Sequence, residues 1–121
     1  MKYPKAVWPY SPYYKTWNLV FCSGQIGLIP ETMEIIKWWV EAETRQVLKN
    51  ISWVLEENWL EFKDVVKTTI FLANMWDFKK VNEIYWEAFS HKPARSTIAV
   101  KELPLWALVE IEVIAEIKNE I

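Results

Sequence analysis

The 121-residue sequence predicts one α+β domain in which two helices pack on the same face of a mixed or antiparallel sheet. Three observations carry this prediction. Apolar residues recur at helical spacing in two stretches, about 41–58 and 78–89; strand-like runs precede, separate and follow them; and the last run alternates between apolar residues and glutamates. Sheet segments interrupted by two amphipathic helices bury their apolar surface by stacking helices on sheet, which makes one layered core. The chain shows no linker, repeat or low-complexity stretch, so residues 1–121 read as a single domain.

Taken in order, Asn18 to Ser23 is a short apolar run closed by Ser23-Gly24, the pattern of a buried strand entering a turn. From about Glu41 to Asn58, Val47, Leu48, Ile51, Val54 and Leu55 share one helical face, with Arg45, Lys49 and Glu56 largely opposite. Val65 to Leu72, bounded by Asp64 and Asn74, is rich in β-branched residues and reads as a strand. Asp77 is placed to cap a second helix whose stripe is Phe78, Val81, Ile84, Tyr85, Ala88 and Phe89, and Ser90-His91-Lys92-Pro93 ends it. Ile98 to Val100 is a short strand. From Val109 to Ile117 the odd positions are apolar and Glu110, Glu112 and Glu116 point the other way, so one face joins the core and the other carries carboxylates.

Charge and cysteine content exclude several functions. With 14 Lys+Arg against 16 Asp+Glu and no basic run, the chain offers no field for phosphate backbones, so nucleic acid is a poor candidate partner. One cysteine excludes an internal disulfide, and the opening Met1-Lys2-Tyr3-Pro4-Lys5 lacks the apolar run of a secretory signal; the expectation is a cytoplasmic protein with no membrane span. No His or Cys cluster has ligand spacing, so a metal is not expected. His91, the only histidine, reads as a loop residue, and Cys22, without a histidine or cation beside it, as a small buried hydrophobe.

The segment that points to chemistry is Lys92-Pro93-Ala94-Arg95-Ser96-Thr97-Ile98. Its arginine offers a planar fork that can grip a small carboxylate in two places, and Pro93 narrows the backbone presenting it. The strand Val109-Glu110-Ile111-Glu112-Val113 follows, and the expectation is one fixed cation near one fixed carboxylate. Upstream, Ala6-Val7-Trp8-Pro9-Tyr10-Ser11 and Phe21-Cys22-Ser23-Gly24-Gln25-Ile26 add a phenol, a hydroxyl and a glycine turn, and Phe78-Lys79-Lys80-Val81-Asn82-Glu83-Ile84-Tyr85 adds an amide. These five motifs, in this order, resemble the Rid (YjgF) family of reactive intermediate deaminases, in its archetypal RidA branch, over roughly Val7 to Lys118.

That resemblance implies a chorismate-mutase-like fold and a homotrimer whose sheets form a central barrel, with active sites in the clefts between subunits. It implies roles as well. Arg95 would bind the substrate carboxylate, Glu110 would hold and polarise the attacking water, and the backbone carbonyl of Thr97 would accept a hydrogen bond from the imine nitrogen. Tyr10, Ser23 and Asn82 would surround the ligand or brace the arginine, while Glu112 would be a neighbouring charge. The implied reaction is hydrolysis of a reactive 2-imino acid or its enamine, such as 2-iminobutanoate or 2-iminopropanoate, to a 2-keto acid and ammonia, without cofactor. Such substrates are released by pyridoxal-phosphate-dependent dehydratases, and clearing them would protect other enzymes. Two other readings stay open: a ligand-binding or chaperone-like regulatory trimer, and a translation-inhibiting ribonuclease.

Nine tryptophans and two glycines invert normal usage. Trp8, Trp17 and Trp59 stand where the family usually has glycine, and Trp38, Trp39 and Trp106 fall at turns where glycine is also common. The favoured explanation is a glycine codon, for example a reassigned UGA, read as tryptophan; the alternative is an aromatic-rich binding surface.

Overall fold

The computed structural model describes residues 3–36 and 39–118. Its elements are strands β1 (Tyr13–Thr16), β2 (Leu19–Gln25), β3 (Leu28–Ile29) and β4 (Glu34–Ile35), helix α1 (Val40–Glu57), strand β5 (Val65–Leu72), helix α2 (Phe78–Ala88), and strands β6 (Ala94–Ala99) and β7 (Val109–Glu116). Five strands form one sheet in the order β1-β2-β7-β5-β6. Only β5 and β6 run parallel, because α2 carries the chain back between them; the other neighbours are antiparallel, so the sheet is mixed. β3 and β4 make a separate two-stranded hairpin.

Both helices cover one face of this sheet. Val47, Ile51, Val54 and Leu55 of α1, with Val81, Ile84 and Tyr85 of α2, are buried against Val20, Ile70, Leu72, Val109, Ile111, Val113 and Ala115 of the strands. The alternation along β7 therefore does what it predicts: the odd positions are buried and Glu110 and Glu112 lie on the face away from the helices. Among the described residues no helix is long and apolar enough to cross a membrane.

Three local expectations are corrected. β6 begins at Ala94 rather than Ile98, so Arg95 sits inside a strand, held there by parallel pairing with Thr68. Asp77 does not cap α2. A tight turn, Met75–Asp77, runs straight into the helix, leaving Asp77 at φ −84°, ψ −2°, already helical, whereas a capping residue needs an extended backbone; Asn74 caps that turn instead, accepting from the Trp76 N–H at 2.9 Å. β1 and the β3–β4 hairpin appear where no strand was expected.

The tryptophans divide. Trp17, Trp59 and Trp106 have φ of 51°, 62° and 58°, the left-handed region that favours glycine, and are 98%, 94% and 80% exposed. Trp59 closes α1 in a Schellman motif: its N–H donates to the Glu56 carbonyl at 3.0 Å and the Leu60 N–H to the Leu55 carbonyl at 2.9 Å, a pattern that requires Trp59 itself to turn left-handed. Trp17 is the first residue of the two-residue β1–β2 turn. Trp8 does not have positive φ, and Trp39, at φ −163°, is merely extended, so neither occupies a backbone that needs glycine. Trp38 lies outside the described residues.

Candidate active site

The candidate residues fall into two groups. In the first, Arg95 projects from β6 toward α2, where Phe78, Asn82 and Tyr85 share one helical face. Its Nη1 donates to Asn82 Oδ1 at 2.6 Å, and its guanidinium carbon lies 4.9 Å from the Tyr85 ring centre and 5.7 Å from that of Phe78. Amide and rings hold the planar cation, and its remaining N–H groups are exposed. Tyr85 is fixed from behind by a 2.6 Å hydroxyl pair with Thr68; burial pushes its phenol pKa up, against the opposing effects of the Thr68 bond and the Arg95 charge, so the ring stays neutral. Asn82, Tyr85, Lys92, Pro93 and Arg95 line a shallow cleft of about 250 Å³. Thr97 lies two residues on, along the open edge of the sheet. Val100 donates to the Leu72 carbonyl across the ladder, so alternation turns the backbone of Thr97 away from β5 and toward that edge.

The second group lines a cavity of about 810 Å³, which contains Tyr10, Ser23, Gly24, Glu110 and Glu112. A β-bulge shapes it. Cys22 pairs with Val113 and Gln25 with Ile111, so Ser23 and Gly24 together oppose Glu112. Ser23 Oγ donates to the Ser11 carbonyl at 2.5 Å and its N–H to the Pro12 carbonyl at 3.0 Å, tying the segment that carries Tyr10 to the bulge. Glu110 lies across Gly24: a Cβ there would meet Cδ of Glu110 at 2.8 Å and Cγ at 3.0 Å, so only glycine leaves room. Burial raises the Glu110 pKa, and the neighbouring Glu112 charge adds to the rise. A carboxyl poised in this way suits proton transfer near neutral pH better than an exposed one.

Within one chain these groups do not meet. Arg95 is in register with Thr68 and Val113 and shares the helix side of the sheet with them, whereas Glu110 occupies the opposite side. The expected closeness of cation and carboxylate is therefore absent from a single protomer. Sequence reading also missed Glu43. Buried on α1, it accepts the Leu108 N–H at 2.8 Å just before β7 begins, and its pKa is raised chiefly by burial. Phe78 and Tyr85 were read only as core stripe; their spacing of four and three residues from Asn82 was the available signal that they flank the arginine. Cys22 is buried, and burial pushes its thiol up to about 12, so it is not a thiolate nucleophile. His91 Nε2 lies 2.9 Å from the Val65 carbonyl, anchoring the loop before β6.

A family profile described as Endoribonuclease L-PSP matches residues 1–117. The chain is 52% identical over 115 residues to Reactive Intermediate Deaminase A, chloroplastic, of Arabidopsis thaliana, covering 94% of this chain and 62% of that protein. Among solved structures it resembles a Rid family protein of unknown function, YyfA, from Yersinia pestis, with a TM-score of 0.93 and 43% identity over 96% of this chain and 94% of the other. The chain belongs to the Rid family. Another Rid-like structure, E. coli TdcF with bound serine, matches at a TM-score of 0.91 and 33% identity, covering 97% of this chain and 94% of the other. The two-helix, mixed-sheet fold expected from the Rid resemblance is thus the observed one. The cytoplasmic expectation gains no support from the plant relative, which is chloroplastic.

Proposed function

We propose that this protein hydrolyses reactive 2-imino acids, including 2-iminobutanoate and 2-iminopropanoate, to 2-keto acids and ammonia, in sites formed between the subunits of a homotrimer. The observation that carries the proposal is the division of the candidate residues into two complementary halves. One half holds a cation, braced by Asn82, whose remaining N–H groups are exposed on an edge strand; the other holds a partly buried carboxylate in a cavity. Neither is a complete site, and a second copy docking its β6 edge over the Glu110 cavity supplies what each lacks. β6 invites such docking: its residues are mostly exposed, Ile98 by 46%, and one edge of its backbone is unpaired.

In this arrangement Arg95, steadied by Asn82 and the Tyr85 ring, grips the substrate carboxylate. The Thr97 carbonyl accepts a hydrogen bond from the imine N–H and aligns the C=N bond, while Tyr10 and Ser23 border the ligand. Glu110 takes a proton from water as the oxygen bonds to C2 and the C=N π pair moves to nitrogen, which receives that proton; the proton of the new C2 hydroxyl is then relayed through Glu110 to nitrogen as the C–N bond breaks, releasing ammonia and leaving the keto group. Imines hydrolyse slowly unaided, so fixing water and substrate in attack geometry and relaying the two protons of the water to nitrogen in turn is sufficient. The name of the Arabidopsis relative supports this chemistry, and the serine bound to TdcF supports a site that takes small molecules bearing an α-carboxylate. The ribonuclease reading, which the profile's description keeps in view, is opposed by two carboxylates lining the larger cavity, where a polyanion would be repelled.

The test generates 2-iminobutanoate with a threonine dehydratase and measures 2-ketobutyrate formation with and without the protein. The expected result is faster formation with it; an unchanged rate defeats the proposal. Native mass spectrometry is expected to give three copies, and a stable monomer would remove the shared site.

A further inference from the structure

Glu110 sits where its own strand is least supported. On one side β7 pairs with β5 as far as Val109, but on the other its pairing with β2 ends at Ile111, opposite Gln25, the last residue of β2. Val109 and Glu110 therefore hang from a single ladder, and their placement depends on how the chain enters the strand. That entry is clamped at Leu108. Its N–H donates to Glu43 Oε1 on α1 at 2.8 Å, and its carbonyl accepts the Ala73 N–H at 3.0 Å. Glu43 is only 4% exposed; burial raises its pKa, against the lowering effect of the Leu108 bond, and the Asp77 charge adds to the rise. An apolar side chain would be buried here at less cost, so the carboxylate is explained by the one backbone donor it serves. The same helix face fastens the other partner of Glu110. Two turns further on, Asn50 Nδ2 donates to the Ile26 and Leu28 carbonyls at 3.2 and 2.9 Å, and Gln46 donates to Asn50 Oδ1 at 3.0 Å. Gly27 lets that turn lie directly on the helix, since a Cβ there would stand 3.1 Å from the Glu43 Cα. In the crowded contact between Gly24 and Glu110, each residue thus lies two positions from a backbone group that α1 holds: Ile26 for one, Leu108 for the other.

We infer that Glu43 is a positioning residue for the deamination: through the Leu108 N–H its side chain sets where β7 begins, and so where the Glu110 carboxyl stands. The inference rests on the deaminase reading and adds to it a residue that touches no substrate. What Glu43 supplies is an acceptor of the right reach and not its charge, because it lies on the helix side of the sheet, and the charge acting on Glu110 is that of Glu112 on the other side. Glu43 is also enclosed within its own chain, so a second copy docking over the far face neither covers nor replaces it. A slack anchor would let the Glu110 carboxyl drift, and a displacement of about 1 Å can cost about 100-fold in rate.

The test compares Glu43→Gln, which keeps an acceptor at the same reach, with Glu43→Asp, which keeps the charge but falls one methylene short, and Glu43→Leu, which has no acceptor. Two quantities are read: turnover of 2-iminobutanoate generated by threonine dehydratase, and the titration of the Glu110 carboxyl by carbon NMR, its signal assigned by its loss in Glu110→Gln. Glu43→Gln is expected to keep kcat within about twofold of wild type, whereas Glu43→Asp and Glu43→Leu lower it about tenfold or more with KM nearly unchanged, because the Arg95 grip is built elsewhere. In those two variants Glu110 should also titrate closer to the ordinary carboxylate range, as displacement exposes it, and in Glu43→Gln it should titrate as in wild type. If Glu43→Leu does not fold, the glutamine and aspartate variants decide between them. Full kcat in Glu43→Asp, equal losses in Glu43→Gln and Glu43→Asp, or a rise in KM matching the fall in kcat overturns the inference and leaves the deaminase reading standing. Failure of the wild-type protein to accelerate hydrolysis defeats the deaminase reading instead, and the titration then decides the positioning alone. An unmoved Glu110 titration in Glu43→Asp overturns the inference at any level of activity.

Discussion

Reverting the three left-handed tryptophans to glycine should stabilise the fold, and the size of the gain follows from their geometry. A bulky residue at positive φ costs about 1–2 kcal/mol. Glycine returns some of this, because its unfolded chain has more freedom, by about 0.4–1 kcal/mol. Little packing is lost in exchange, since Trp17, Trp59 and Trp106 are 98%, 94% and 80% exposed. The net is about 0.5–1 kcal/mol per site, and for three separated sites the gains should roughly add, to about 1.5–3 kcal/mol. At this chain length, each kcal/mol moves Tm by about 4 °C, so the triple variant should melt about 6–12 °C higher. The assay is thermal unfolding of single and triple variants at one fixed protein concentration. Trp76→Gly is the control, because Trp76 is 89% exposed but lacks positive φ, and glycine there should be neutral or destabilising. If the three reversions lower Tm as the control does, the strain argument is wrong. Intact mass of protein from its native host would show whether those sites carry indoles at all.

Arg95→Ala should abolish imine hydrolysis without unfolding the protein, since the arginine is exposed, and Arg95→Lys should be strongly impaired because an ammonium cannot grip in two places; Tyr85→Leu, which removes the supporting ring, should raise KM more than it lowers kcat. Glu110→Gln should cut kcat far more than affinity. Because burial raises the Glu110 pKa, keeping that carboxyl ionised in the fold costs stability once pH passes its unfolded value and reaches the raised one. The glutamine variant should therefore melt higher than wild type at about pH 8, with the difference vanishing below about pH 4, and wild-type activity should fall on acidification at a pH above the ordinary carboxylate range. Gly24→Ala should displace the Glu110 carboxylate and reduce kcat while leaving circular dichroism unchanged; full activity would show that the contact does not position it.

The parts of the fold that could be read from sequence are those whose signal is local. The two helical stripes, β5 and the alternation along β7 follow from spacing alone, and the structure places them as read. β1 escaped because three of its four residues are exposed and no alternation marks it, and the β3–β4 hairpin because two-residue strands carry no period. The side of the sheet on which Arg95 emerges was not legible. It depends on the registers of β6 with β5 and of β5 with β7, which join residues far apart in sequence. The crowding that only Gly24 permits has the same origin, since Glu110 reaches it from a strand more than eighty residues later.

Placing Arg95 and Glu110 on opposite faces of one sheet has a genetic consequence. A site built from the arginine of one subunit and the glutamate of another can be repaired by mixing two dead proteins. When Arg95→Ala and Glu110→Gln chains are unfolded together and refolded as random hybrids, about a quarter of the interfaces pair an intact arginine half with an intact glutamate half. Those interfaces should recover activity that neither parent shows, whereas separately refolded parents, combined only afterwards without subunit exchange, should stay silent. By the same count, a chain carrying both lesions and mixed equally with intact chains would leave only about a quarter of the interfaces whole, whereas a chain carrying one lesion would leave about half.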